Sequence, residues 1–132
     1  MITLDPSAVL ALLDRSHQHH QAATATLERV RRPTVVPAAI LAEVDRVLAS
    51  RLGPNATPLF LRGLELGQTL LDCGDRDVPR IHELMTRFAR VPLRFAEAAV
   101  VVCAERNGGV VLSFERASLD TVARDVPVSI LP

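Results

Sequence analysis

Ile2-Thr3-Leu4-Asp5-Pro6-Ser7-Ala8-Val9-Leu10-Ala11-Leu12-Leu13 is the stretch from which the rest of the chain is read. A short β-like run ends on a carboxylate, and an apolar helix starts at once. Asp5 suits an N-cap, Pro6 suits the first helical turn, and Ala8 to Leu13 are mostly good helix formers. In an α/β sheet, the carboxyl end of such a strand is where ligands bind. Asp5 therefore has two readings, a helix cap or the first ligand of a metal site. Other isolated acids at comparable places have to decide between them.

Composition narrows the classes. At 132 residues the chain reads as one domain, 1–132, long enough to bury a core. Hydrophobic residues make up 48%, yet the only aromatics are four Phe, so Ala, Val and Leu do the packing. All fifteen basic residues are Arg, which excludes chemistry that needs a lysine. Formal charge balances at zero, so a bulk field does not favour non-specific nucleic-acid binding. A polyanion would have to be met by local Arg residues or by metal ions. Cys73 and Cys103 stand alone, without CxxC spacing, which fits a reducing compartment. No secretory pattern or membrane-length apolar run is visible, and the expected location is the cytoplasm.

Strand candidates alternate with helices along the chain. After the opening unit, residues 16–30 read as a helix and 34–36 as a brief strand. Residues 37–52 carry a strong amphipathic pattern that stops at Gly53-Pro54, and 55–67 form another helical stretch. Residues 69–71 read as a strand, 72–77 as a loop and 78–89 as a helix. Residues 94–107 form a nearly continuous apolar helix closed by Gly108-Gly109, a good C-terminal stop. Residues 110–114 are a strand, 117–123 a short helix and 126–131 a last strand. Strands separated by helices predict an α/β fold, a parallel sheet with helices on its faces.

Three further acids stand out. Glu43 lies at the edge of a buried arc, where a surface-edge Glu is the plain reading. Glu97 is the one polar side chain of Phe95-Ala96-Glu97-Ala98-Ala99-Val100-Val101-Val102-Cys103-Ala104. Helices apolar all round are buried, and a buried carboxylate has to be paired, neutralised or bound to metal. Glu115 ends the strand Val110 to Phe114, as Asp5 ends the first. Singly, each has a structural explanation. Four acids, two at strand ends and two on apolar helices, are harder to explain by packing.

With these residues in view, the chain resembles the PIN-domain ribonucleases, specifically the VapC-type toxins of toxin–antitoxin pairs. Leu4-Asp5-Pro6-Ser7 looks like the family's opening Asp-x-Ser motif. Val36-Pro37-Ala38-Ala39-Ile40-Leu41-Ala42-Glu43-Val44 is similar to the second motif. Pro92 to Val100 with Ala104-Glu105-Arg106 looks like the third, and Val111-Leu112-Ser113-Phe114-Glu115-Arg116 like the fourth. There are two departures: Glu97 and Glu115 stand where the family normally has Asp. Each keeps its charge but moves the carboxylate outward by one methylene. Arg94 also stands where many relatives carry a neutral or acidic residue.

The resemblance implies a PIN-like three-layer fold with a mostly parallel sheet of four to five short strands. It implies hydrolysis of phosphodiesters in structured RNA, with Asp5, Glu43, Glu97 and Glu115 as catalytic acids holding Mg²⁺ or Mn²⁺. It further implies a homodimer restrained by a cognate VapB-like antitoxin. Clustered carboxylates would repel RNA without a cation between them, and a bound cation also acidifies a water. Because Mg²⁺ demands near-ideal geometry at about 2.0–2.1 Å, the two longer side chains bear directly on activity. The alternative is a weakened site in a protein that binds antitoxin or RNA without cutting.

The remaining candidates have plainer readings. Ser7 and Ser113 are auxiliary residues, able to orient a ligand or simply to occupy a helix start and a strand end. His17, His19 and His20 read as solvent-exposed histidines at a helix start. Cys103 reads as a small buried hydrophobe, and Arg87, Arg90 and Arg94 as a solvated face. Receiver domains and haloacid-dehalogenase phosphatases also carry strand-end acids, but both rely on a lysine that this chain lacks.

Overall fold

The computed structural model describes residues 1–132. Strands β1 (Ile2–Leu4), β2 (Thr34–Pro37), β3 (Leu70–Asp72), β4 (Val110–Leu112) and β5 (Ser129–Leu131) form one sheet. Every pairing is parallel, in the order β3-β2-β1-β4-β5. Successive strand residues point to opposite faces, yet every residue of β1 and β2 is buried. Both faces are therefore covered, as the expected three-layer arrangement requires. The two edge strands are less covered: Leu70 and Leu71 of β3 are exposed, and no residue of β5 is fully buried.

Local chemistry explains the main joints. Asp5 caps α1 (Pro6–Leu13), accepting from the Ala8 amide at 2.8 Å, with Pro6 in the first turn. A short turn leads to α2 (His20–Val30). β2 ends on Pro37, whose extended backbone feeds a 3₁₀ turn over Ala38–Ile40 before α3 (Leu41–Leu52) begins. The expected helix start at Pro37 thus lies four residues too early, because Pro37 sits in the sheet. Gly53 (φ +86°) ends α3, and α4 (Ala56–Glu65) follows. α5 (Val78–Arg87) and α6 (Phe95–Arg106) complete the middle of the chain, with α7 (Ala117–Val122) between β4 and β5.

α6 is the centre of the core. Residues Ala98 to Ala104 are all buried, and the helix packs on β1, β2 and β4. Small Ala and Val side chains let it sit close to the sheet, and each buried Val contributes roughly 1.5–3 kcal/mol. Gly108-Gly109 then returns the chain to β4. Gly109 has φ +76°, and a Cβ there would lie 2.7 Å from the Pro127 carbonyl oxygen, so this close approach needs glycine.

Two other boundaries differ from expectation. Residues 16–19 form a turn rather than the start of α2. Only Ser129–Leu131 joins the sheet at the C-terminal end, because Pro127 has no N–H to give to a ladder. Val126 and Val128 are buried against the core instead.

Candidate active site

The sheet order creates the site. β1 pairs with β2 on one side and with β4 on the other, so the strand order reverses at β1. In such sheets the crevice outside the carboxyl ends at the reversal is the usual ligand site. Leu4 is in register with Leu112, which brings Asp5 beside Ser113 across 108 residues of sequence.

Asp5 is 6% exposed and fully partnered. One carboxylate oxygen accepts from the Ala8 amide at 2.8 Å and the Ser7 hydroxyl at 2.7 Å. The other accepts the Ser113 hydroxyl. Asp5 is thus the helix cap, and it also stands at the carboxyl-end crevice. Burial raises its pKa above the ordinary carboxylate value despite these donors, and the charge of Glu115 adds to the rise. The two serines also hold the loop after β4. Ser7 Oγ accepts from the Phe114 amide at 2.9 Å, and Ser113 Oγ accepts from the Glu115 amide at 3.1 Å. Ser113 lies just past β4, not on it, since that strand ends at Leu112.

A cleft of about 880 Å³ opens here, and Asp5, Glu43, Glu97 and Glu115 all line it. Glu43, in the first turn of α3, is half-exposed and 3.7 Å from Arg46. Glu97 departs from expectation. It is half-buried rather than buried, and its carboxylate accepts the Arg94 amide at 3.0 Å. The physical reason is position. Glu97 occupies the first turn of α6, ahead of the buried run, where backbone amides lack helical partners. Glu115 is exposed in the loop. No three acidic, histidine or cysteine side chains converge tightly enough to cage an ion in this arrangement. The donor set still suits a hard cation. It consists of carboxylate oxygens around one buried acid, with Glu43 and Glu97 each held by a local partner, Arg46 and the Arg94 amide.

A model of the PIN domain family matches residues 2–125. The chain belongs to the PIN-domain family. Over 104 residues it is 31% identical to ribonuclease VapC26 of Mycobacterium tuberculosis (strain ATCC 25618 / H37Rv), covering 78% of this chain and 77% of that protein. Its fold is similar to the crystal structure of Mycobacterium tuberculosis VapC20, described as a sarcin–ricin-loop-cleaving toxin. There the TM-score is 0.74 at 19% identity, over 97% of this chain and 98% of that one. The expected PIN-like fold is therefore the one observed.

Other residues of this PIN domain reach the cleft, and of its arginines only Arg94 stood out in the sequence. Arg46, Arg51 and Arg94 line it, so three guanidinium groups stand among the four acids. Arg46 had a signal, its i+3 spacing from Glu43 on α3. The histidines are corrected more sharply. His17 and His19 are half-buried and line the cleft, and His20 holds the Ala11 carbonyl through Nδ1 at 2.7 Å. Asp14 sets this turn by accepting both the Ser16 amide (3.0 Å) and hydroxyl (2.7 Å). No periodicity in the sequence reports where such a turn will point.

Cys103 is buried as expected, and burial pushes its thiol up to about 11. Arg106 beside it binds Asp77 at 2.7 Å and Asp72 at 2.9 Å. That network joins α6 to β3 and the loop before α5, away from the cleft.

Proposed function

We propose that this PIN domain is a metal-dependent endoribonuclease toxin of a VapBC-like toxin–antitoxin pair, hydrolysing phosphodiesters in structured RNA. The observation that carries the reading is the direct bond between Ser113 and Asp5 across the strand reversal, which sets a buried acid at the floor of a cleft with three more. Asp5, Glu43, Glu97 and Glu115 would hold Mg²⁺ or Mn²⁺. Such an ion would neutralise the acids, contact a phosphate oxygen and acidify a water. Ser7 and Ser113 keep the Asp5 carboxylate in one orientation. Arg46, Arg51 and Arg94 offer charge to flanking phosphates. The similarity to ribonuclease VapC26 supports the nuclease reading and, with it, a VapB-like antitoxin partner. A homodimer acting in the cytoplasm completes the proposal; no helix of the chain is long and apolar enough to cross a membrane.

A second reading has its own observation. Glu97 caps α6 and Glu43 leans on Arg46, contacts that compete with binding an ion. A domain in that state would bind antitoxin or RNA without cutting. One experiment separates the two. Purified protein and Asp5→Ala are incubated with bacterial total RNA and Mg²⁺, Mn²⁺ or chelator. Discrete metal-dependent fragments from the wild type alone support the nuclease. Silence from the wild type, with cleavage by the Glu97→Asp/Glu115→Asp double variant, supports the binding module.

A further inference from the structure

The cleft has an aromatic wall that the four acids do not explain. The chain has four phenylalanines and neither Tyr nor Trp. Phe60 and Phe88 are buried in the core, whereas Phe95 and Phe114 both line the cleft. Phe95 is 50% exposed, and it is not among the side chains packed on the core. Phe114 leans on the core and carries the His19 ring stacked on it, with centroids 4.6 Å apart and planes within 7°. His17 stands beside His19, ring centroids 5.6 Å apart, and its Nδ1 accepts the His19 amide at 3.1 Å. Neutral His17 is thereby held with its proton on Nε2, as a donor.

We propose that His19, backed by Phe114 in a cleft that Phe95 also lines, is the stacking site for an unpaired RNA base next to the acidic floor. The inference rests on the ribonuclease reading and adds how the substrate is selected. Three features carry it. Flat rings, His included, take unstacked bases on their faces. In a duplex those faces are occupied by neighbouring bases, so the site discriminates for single-stranded loops. The platform is also tied to the acid: the Phe114 amide donates to Ser7 Oγ, and Ser7 donates to Asp5. A base on His19 therefore holds its own backbone at a set distance from Asp5. His17 Nε2–H and nearby arginines can meet the polar edge and phosphate of that nucleotide.

The test uses short RNA oligomers carrying one 2-aminopurine, single-stranded or in a duplex, with Ca²⁺ replacing Mg²⁺ to suppress cleavage. Wild-type protein is expected to quench the single-stranded probe and to bind it more tightly than the duplex. His19→Ala is expected to weaken that binding by about tenfold, in line with a lost base–aromatic stack, and to abolish the quench. His19→Phe, which keeps a flat ring, is expected to restore most of both. Equal binding by wild type and His19→Ala, no preference over duplex, or no binding by the wild type would each overturn the proposal. So would a lowered melting temperature in His19→Ala with RNA affinity unchanged, since the stack would then only hold the turn. Cleavage of total RNA, measured separately, keeps the two readings apart. A quenching platform without cleavage leaves the stacking site standing and removes the nuclease. Unaltered cleavage by His19→Ala does the reverse.

Discussion

Asp5→Asn should make this protein more stable at neutral pH while ending the nuclease activity proposed for it. The substitution keeps the shape and, by rotating one hydroxyl, every hydrogen bond. Asn is as good an N-cap as Asp, so its carbonyl can still accept from Ala8 and Ser7. Its amide would donate to Ser113 Oγ, and the Ser113 hydroxyl would turn to the Glu115 carbonyl, 3.2 Å away. What changes is charge. Each of three charge-assisted bonds weakens by about 1 kcal/mol on becoming neutral, and a favourable helix-dipole contact of about 0.5 kcal/mol is lost. Against this stands the burial penalty of a carboxylate, several kcal/mol, with Glu115 repelling it besides. The raised pKa of Asp5, led by burial, says that the penalty wins. The net gain is about 1–2 kcal/mol, or roughly 3–8 °C in Tm for a chain of this size.

The pH dependence makes the prediction sharper. The folded pKa of Asp5 lies above the unfolded value of 3.8, so the folded state holds its proton to higher pH. The stability tied to that proton is complete below 3.8 and is lost as pH rises through the folded value. Wild type and Asp5→Asn should therefore melt together in acid and diverge towards pH 7, followed by circular dichroism without added metal. An Asn variant that is less stable at pH 7, or a gap that does not vary with pH, would refute the reasoning.

Other outcomes follow from the same contacts. Arg106→Ala should lower stability by about 3 kcal/mol in denaturant titration, because it leaves the 7%-exposed Asp77 without its ion pair. Asp72, held below the usual carboxylate range chiefly by its bond from Arg106, stabilises the wild type above its unfolded pKa of 3.8 and loses that stabilisation in stronger acid, a loss Arg106→Ala should lack. Glu97→Gln should leave stability within about 0.5 kcal/mol of wild type, since Gln also serves as the N3 residue of a cap, yet abolish any Mg²⁺-induced rise in Tm if Glu97 holds the ion. A thiol reagent should titrate exposed Cys73 at once and Cys103 only on unfolding, because burial raises its thiol to about 11.

Legibility in the sequence followed the range of the forces involved. The opening βα unit was plain because Asp5, Pro6 and the Ala-Leu run act within one helical turn of each other. α6 was plain because seven consecutive buried residues leave no polar face. Gly53-Pro54 and Gly108-Gly109 marked helix ends through backbone freedom that other residues lack. Pro37 and Pro127 misled on boundaries, because their effect depends on whether a ladder needs their missing N–H. Glu97 misled on burial, because apolar neighbours along one helix do not say where that helix leaves the core.

By itself, then, the sequence determined the alternation of strands and helices, the apolar helix on the sheet and the four acids later found in one cleft. Those properties arise from short-range capping, periodicity and burial. Tertiary structure alone decided what the acids face. The placing of β4 beside β1 joins Ser113 to Asp5, and the Asp14 turn carries His17 and His19 to the same cleft. Sheet order and turn direction are set by the packing of the whole core, so no local stretch of sequence spells them out.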